Sequence, residues 1–125
     1  MITVVAAVIE RNGRVLIAQR KRSGRHPLKW EFPGGKVERD EAPEAAAIRE
    51  LEEELAIHAR IDREIKRYTY QYGDLSPILL IFYRVLEFEG EPQNLDFEQI
   101  RWEAPARLPS YDFLEGDAEF IRSYS

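Results

Sequence analysis

Residues 2–9, Ile-Thr-Val-Val-Ala-Ala-Val-Ile, are apolar and rich in β-branched side chains, which predicts a largely buried strand. Asn12-Gly13 is a hairpin signal, and the run Arg14–Gln19 behind it predicts the returning strand. Residues 21–29, with Ser23-Gly24 and Pro27, are expected to form a loop. Trp30-Glu31-Phe32 then reads as a short strand that Pro33-Gly34-Gly35 terminates. The period changes next: Ala47, Ile48, Leu51 and Leu55 recur at helical spacing and predict a helix over Pro43–Leu55. Pro43 fits its first position, where a missing N–H does no harm. Ala42 stands where a serine or threonine would cap, so about 1 kcal/mol of capping is forgone. Residues 59–72 and 77–88 predict two strands around a turn at 73–77. Gly90-Glu91-Pro92 is another turn, residues 97–102 a short strand, and residues 112–122 a closing helix beyond the irregular backbone of Pro105 and Pro109. No repeat or linker interrupts the order strands, helix, strands, helix, which indicates a mixed sheet with helices packed on it.

With 125 residues the chain is most simply one domain, 1–125. It has no cysteine, so disulfides, thiol catalysis and cysteine metal sites are excluded. No apolar stretch approaches the ~20 residues of a membrane span. The start, Met1-Ile2-Thr3-Val4-Val5, lacks a basic n-region and a cleavage site, so a cytoplasmic location with no membrane partner is the default expectation. A net charge of −5 argues against a nucleic-acid partner. The charge is uneven, however. Residues 11–29 carry Arg11, Arg14, Arg20, Lys21, Arg22, Arg25 and Lys29 with no acid among them, whereas residues 38–54 are dominated by Asp and Glu. An acidic site facing a basic arm suits a substrate that is polyanionic and metal-bound, such as a nucleoside triphosphate.

The candidate chemistry sits in Arg49-Glu50-Leu51-Glu52-Glu53-Glu54-Leu55. In a helix Glu50, Glu53 and Glu54 share one face at i, i+3 and i+4. Each like-charged pair there costs roughly 0.2–0.5 kcal/mol, so a cation is expected to offset the repulsion. Mg²⁺ takes oxygen ligands and favours one or two carboxylates plus substrate phosphates. A glutamate run by itself is ordinarily a solvated face, and the upstream residues decide the matter here. Gly34-Gly35 lets backbone approach a ligand with no Cβ in the way.

Gly35, Glu41, Arg49-Glu50-Leu51, Glu53-Glu54 and Ala56-Ile57, with five, seven, one and one residues between them, resemble the Nudix box, G-x5-E-x7-R-E-U-x-E-E-x-G-U, where U is bulky and apolar. Every specified position agrees except the last glycine, which is Ala56. The box covers residues 35–57, and Glu31-Phe32-Pro33-Gly34-Gly35-Lys36-Val37-Glu38 extends the match toward the MutT-type branch. The resemblance implies an α/β/α sandwich with a mixed central sheet and a loop–helix–loop catalytic motif. It implies a Mg²⁺-dependent enzyme, with Mn²⁺ as an alternative, that cleaves an ordinary, oxidised or modified nucleoside triphosphate to monophosphate and pyrophosphate. Such a metal polarises phosphoryl oxygen and activates water. The implied ligands are Glu50, Glu54 and the Gly35 carbonyl, with Glu53 in the same cluster, and either Glu50 or Glu53 serves as general base. Arg49 and Glu41 are expected to hold the loop in place.

A further acid from a later loop is implied near Asp96 or Glu98, with glutamate's longer reach favouring Glu98. For substrate binding the resemblance implies Arg20, Phe32 beside the nucleotide and Asp117 reading the base, with Arg25 and Gly34 joining them. There are departures. Ala56 is expected to take a left-handed conformation at a cost of roughly 1 kcal/mol. The turn Asp74-Leu75-Ser76 lacks the arginine that MutT-type enzymes place against the nucleotide. His26 and His58 read as surface residues. Monomer and homodimer stay open. Rival readings are a hydrolase of a dinucleoside polyphosphate or nucleotide sugar, and a non-catalytic Nudix-like binding domain, which the intact glutamate trio disfavours.

Overall fold

A computed structural model describes residues 1–124. The apolar run at the start forms strand β1 (Ile2–Arg11), which turns at Asn12-Gly13 into the antiparallel β2 (Arg14–Gln19). Both turn residues have positive φ, 54° and 75°, as a two-residue hairpin loop requires. After the polar loop come β3 (Trp30–Glu31) and β4 (Gly34–Lys36), then helix α1 (Pro43–Leu55). The long strands β5 (His58–Tyr70) and β6 (Ile78–Glu89) follow, then β7 (Gln99–Glu103), two short 3₁₀ segments (Pro105–Ser110 and Glu115–Asp117) and helix α2 (Ala118–Ser123). The sheet runs β3-β2-β1-β6-β5, with β4 also paired to β1 and β7 to β2. β1 and β6 are parallel from Ile2–Ile78 to Ile9–Val85, and the other pairs are antiparallel, so the sheet is mixed.

Alternation along the strands divides the core between two faces. Ala6, Val8, Val15, Ile17, Leu80 and Phe82 pack with Phe113, Phe120 and Ile121 on one side. Ala7, Ile9, Leu16, Ala18 and Val85 meet Leu51 and Leu55 of α1 on the other. Helical elements thus cover both faces, as the sandwich expectation required. No helix among the described residues is long and apolar enough to cross a membrane.

Two elements differ from the sequence expectation. Gly34-Gly35 does not merely end a strand; it is itself a strand, Gly34 opposite Ala6 and Gly35 opposite Val5. A Cβ on Gly34 would stand 2.0 Å from the Val5 carbonyl oxygen, so glycine is what permits this approach. The closing helix over 112–122 is shorter than expected. It breaks into the 3₁₀ turn at Glu115–Asp117 and a six-residue α2, neither start carrying a side-chain cap.

Helix α1 matches its expected bounds, with Pro43 in the first turn and no side-chain cap from Ala42. At its far end Ala56 is left-handed, φ 57° and ψ 33°, and its N–H closes on the Glu52 carbonyl. Relief of that strain exceeds the chain entropy a glycine adds, so Ala56→Gly is expected to stabilise the fold by about 0.5–1 kcal/mol. Urea unfolding checks this; an unchanged or lower midpoint would refute it.

Candidate active site

The pairing of β4 with β1 carries the glycines beneath α1, and the glutamates reach down to them. Gly34 donates its N–H to Glu54 Oε1 at 3.1 Å. A Cβ on Gly35 would lie 2.5 Å from the Glu50 carboxyl carbon, so the Glu50 carboxylate rests directly on the Gly35 backbone. Glu54 is 9% exposed. Burial, then the charges of Glu50 and Glu31, push it up to about 9; the Gly34 N–H acts in the opposite sense. Glu50 is also raised, chiefly by burial, while Arg49 and a hydrogen bond from Glu54 pull it down. The three acids therefore do not converge equally. Glu50 and Glu54 turn inward, while Glu53, with its side chain 58% exposed, stays at the rim with Arg49 Nη1 3.4 Å away.

Arg49 joins the helix to the loop before it. Its Nε and Nη2 donate to Glu41 at 2.8 and 3.0 Å, Nη2 reaches the Lys36 carbonyl at 3.1 Å, and Nη1 reaches Glu50 at 2.8 Å. This forked grip holds Glu41 below its ordinary carboxylate pKa. Glu41 in turn accepts the Glu38 N–H at 2.9 Å. These contacts tie the helix to the loop before it.

Beside the carboxylates opens a cavity of about 210 Å³ lined by Arg20, Lys21, Ser23, Arg25, Glu31, Asp96 and Phe97. Arg20 and Arg25 thus stand together, Arg20 Nε donating to the Arg25 carbonyl at 2.9 Å. Arg20 Nη1 also meets both Glu31 oxygens, at 3.2 and 3.3 Å. Glu31 was not among the expected site residues. Burial raises it to about 6 despite Arg20. Its signal was visible, because it is the one acid in a two-residue strand followed by Phe32, on the face opposite the buried Trp30 and Phe32.

Of the two loop acids, Asp96 lines the cavity, and its charge acts on Glu54 and Glu31. Asp96 and Glu98 are both exposed, but Glu98 does not line the cavity, and its N–H bonds the Gln19 carbonyl at 2.9 Å. Asp96, rather than Glu98, thus stands beside the carboxylates, because the loop before β7 brings Asp96 to the cavity wall while the Glu98 backbone is tied to β2. Phe32 is 3% exposed and packs among Phe82, Phe113 and Phe120, so its side chain lies in the core beneath the sheet. Asp117 is 6% exposed. Burial and the charge of Glu31 raise it to about 8, against the backbone N–H of Phe32.

The available donors, carboxylates with a backbone carbonyl beside them, are hard oxygens, which suit Mg²⁺ or Mn²⁺ and no softer ion. The Gly35 cradle keeps backbone next to Glu50, and the half-buried Glu50 and buried Glu54 would gain from a cation between them. Among the described residues no three acid or imidazole groups already enclose an ion-sized space. Glu53 stands apart from the other two, at the rim.

The profile of the NUDIX domain family matches residues 1–124. A CTP pyrophosphohydrolase of Escherichia coli (strain K12) is 35% identical over 124 residues, covering 99% of this chain and 91% of that protein. An 8-oxo-dGTP diphosphatase of the same strain is 33% identical over 109 residues, covering 87% and 84%. The crystal structure of a MutT NUDIX hydrolase from Burkholderia pseudomallei superposes with a TM-score of 0.86 at 27% identity, covering 97% of this chain and 95% of that one.

Proposed function

Because this chain belongs to the NUDIX domain family and is one of its MutT-like hydrolases, we propose that it cleaves a nucleoside triphosphate to monophosphate and pyrophosphate with Mg²⁺ bound among its glutamates. The observation that carries this reading is the pair of buried Glu54 and half-buried Glu50 seated on the Gly34-Gly35 strand. Glu50, Glu54, the Gly35 carbonyl and Asp96 would hold the ion, with Glu53 at the edge of the same cluster. Bound there, Mg²⁺ supplies charge neutralisation at phosphate and lowers the pKa of water.

The remaining work falls to the protein's own side chains. Arg20, Lys21 and Arg25 line the cavity and balance the phosphate charge, with Glu31 fixing the guanidinium plane of Arg20. Glu53, at the solvent rim, takes the proton from the attacking water. Asp117 reads the base. Burial favours its neutral form, which offers one donor and one acceptor, the pair an asparagine amide would offer. The Tyr72–Ser76 turn carries no arginine, so base discrimination rests on Asp117 and its surroundings.

The test measures pyrophosphate and orthophosphate release with Mg²⁺, Mn²⁺ or EDTA. Substrates are CTP, the other NTPs and dNTPs, 8-oxo-dGTP, a diadenosine polyphosphate and ADP-ribose. The expected result is metal-dependent pyrophosphate from one triphosphate above the rest. Mononucleotides from the dinucleotide or ADP-ribose alone would move the enzyme to another Nudix specificity, and silence on every substrate would overturn the reading.

A further inference from the structure

The turn that bears Asp117 has no cap of its own, and three tyrosines from the end of β5 and beyond replace it. Tyr68, Tyr70 and Tyr72 alternate along the chain and so reach the same side. Tyr68 Oη donates to the Gly116 carbonyl at 2.6 Å and accepts the Phe120 N–H at 3.2 Å. Tyr72 Oη accepts the Gly116 N–H at 2.9 Å. Both backbone groups of the residue before Asp117 are therefore held by phenol oxygens. Tyr70 Oη adds a bond to the Glu115 carboxylate at 3.1 Å. The fit is close: a Cβ on Gly116 would stand 2.5 Å from Tyr72 Oη.

Tyr72 has a second neighbour. The His26 ring lies 5.0 Å from its ring, centroid to centroid, tilted by 45°. His26 belongs to the loop that supplies Arg20, Lys21, Ser23 and Arg25 to the phosphate cavity. That loop is strained, with His26 at φ 51° and Leu28 at φ 62° on either side of Pro27. Such positive values in histidine and leucine persist only where surrounding contacts over-determine them. The Arg20 N–H to Lys29 carbonyl bond at 2.8 Å closes the loop at its base, and the His26–Tyr72 contact meets it at its tip.

We propose that Tyr72 is a positioning residue for Asp117 and that, through His26, it couples base reading to the basic loop over the phosphate cavity. The proposal rests on the functional reading above. It makes Tyr72 a determinant of specificity though it bears no charge and lies outside the Nudix box.

The test compares kcat and KM of wild type, Tyr72→Phe, His26→Ala, Asp117→Ala and the two double variants across CTP, UTP, ATP and GTP. Tyr72→Phe keeps the ring and removes one hydroxyl. It is expected to raise KM for the preferred triphosphate about tenfold, the worth of one hydrogen bond, with kcat within about twofold. KM for the disfavoured bases stays unchanged, so discrimination falls. His26→Ala, an exposed position that leaves the core intact, moves the same ratio in the same direction. Neither change has a further effect once Asp117 is alanine, because the path runs through that carboxyl. Equal KM changes for all four bases, or effects that persist in Asp117→Ala, would overturn the proposal while leaving the functional reading intact. If Asp117→Ala does not fold, the base dependence of the two single variants decides. A wild type that hydrolyses all four bases alike also overturns it, and one that hydrolyses no triphosphate overturns both readings.

Discussion

Replacing Glu54 with glutamine is expected to lower kcat by at least about 10³-fold and to leave the fold as stable as wild type or more so. The two effects separate because the carboxylate's value to catalysis is its charge, and its charge is what the fold resists. Glu54 sits 9% exposed next to Glu50. Its structural contact is to the Gly34 N–H, and a glutamine oxygen accepts that bond equally well. Glutamine cannot carry the negative charge a divalent ion needs. Glu53→Gln should also lose most turnover with an unchanged fold, because its 3.4 Å contact with Arg49 is solvent-exposed and adds little. Circular dichroism, thermal melts and pyrophosphate release on the same preparations test this. If both variants hydrolyse at the wild-type rate, the carboxylates do not hold the catalytic metal.

In EDTA, stability is expected to fall as pH rises from about 5 to about 9. Glu54 has an ordinary value of 4.5 and is raised to about 9 in the fold; Asp117 has 3.8 and is raised to about 8. A raised folded value means the native state holds its proton more tightly than the unfolded chain. The contribution is complete below the unfolded value, where both states are protonated. It drains away as the unfolded chain ionises and ends once pH passes the folded value. Glu41, Glu64, Glu91 and Glu103 are lowered by their partners, so their contribution is lost only in acid and does not mask the slope above pH 5. Because Glu54 and Asp117 are buried, the summed loss by pH 9 should be on the order of a few kcal/mol. Mg²⁺ competes with the proton at Glu54, so its stabilisation should be larger at pH 9 than at pH 5. Glu54→Gln should flatten most of the slope. Urea titrations at pH 5, 7 and 9, with EDTA or Mg²⁺, measure all of this; metal-free stability that is flat or rising over that range would contradict the burial of these acids.

Elements whose residues carry a clear period were legible in the sequence. The hairpin at Asn12-Gly13, helix Pro43–Leu55 and the long strands around the turn at 73–77 needed only alternation, helical spacing and turn chemistry. The strand at Gly34–Lys36 was not legible, since glycines signal a turn and pair here only because β1 comes close enough to exclude a Cβ. The broken end of the chain was hidden for a related reason. Gly116 is held by tyrosine hydroxyls more than forty residues away in sequence, which no local pattern records. Within the candidate site the box residues were readable from their spacing. Glu31 as the partner of Arg20 depended on how β3 pairs with β2, and Asp96 over Glu98 on the course of the loop before β7.

The lacing of Gly34–Lys36 into β1 gives mutations a long reach. The strand that seats Glu50 and Glu54 shares its ladder with Val4, Val5 and Ala6, and these lie between the two halves of the core. A defect in that core can displace the glycines by a fraction of an ångström well before the protein unfolds, and catalytic geometry is sensitive at that scale. Substitutions in β1 that pass as mild in a melting curve would then emerge as loss of turnover, in residues far from any phosphate.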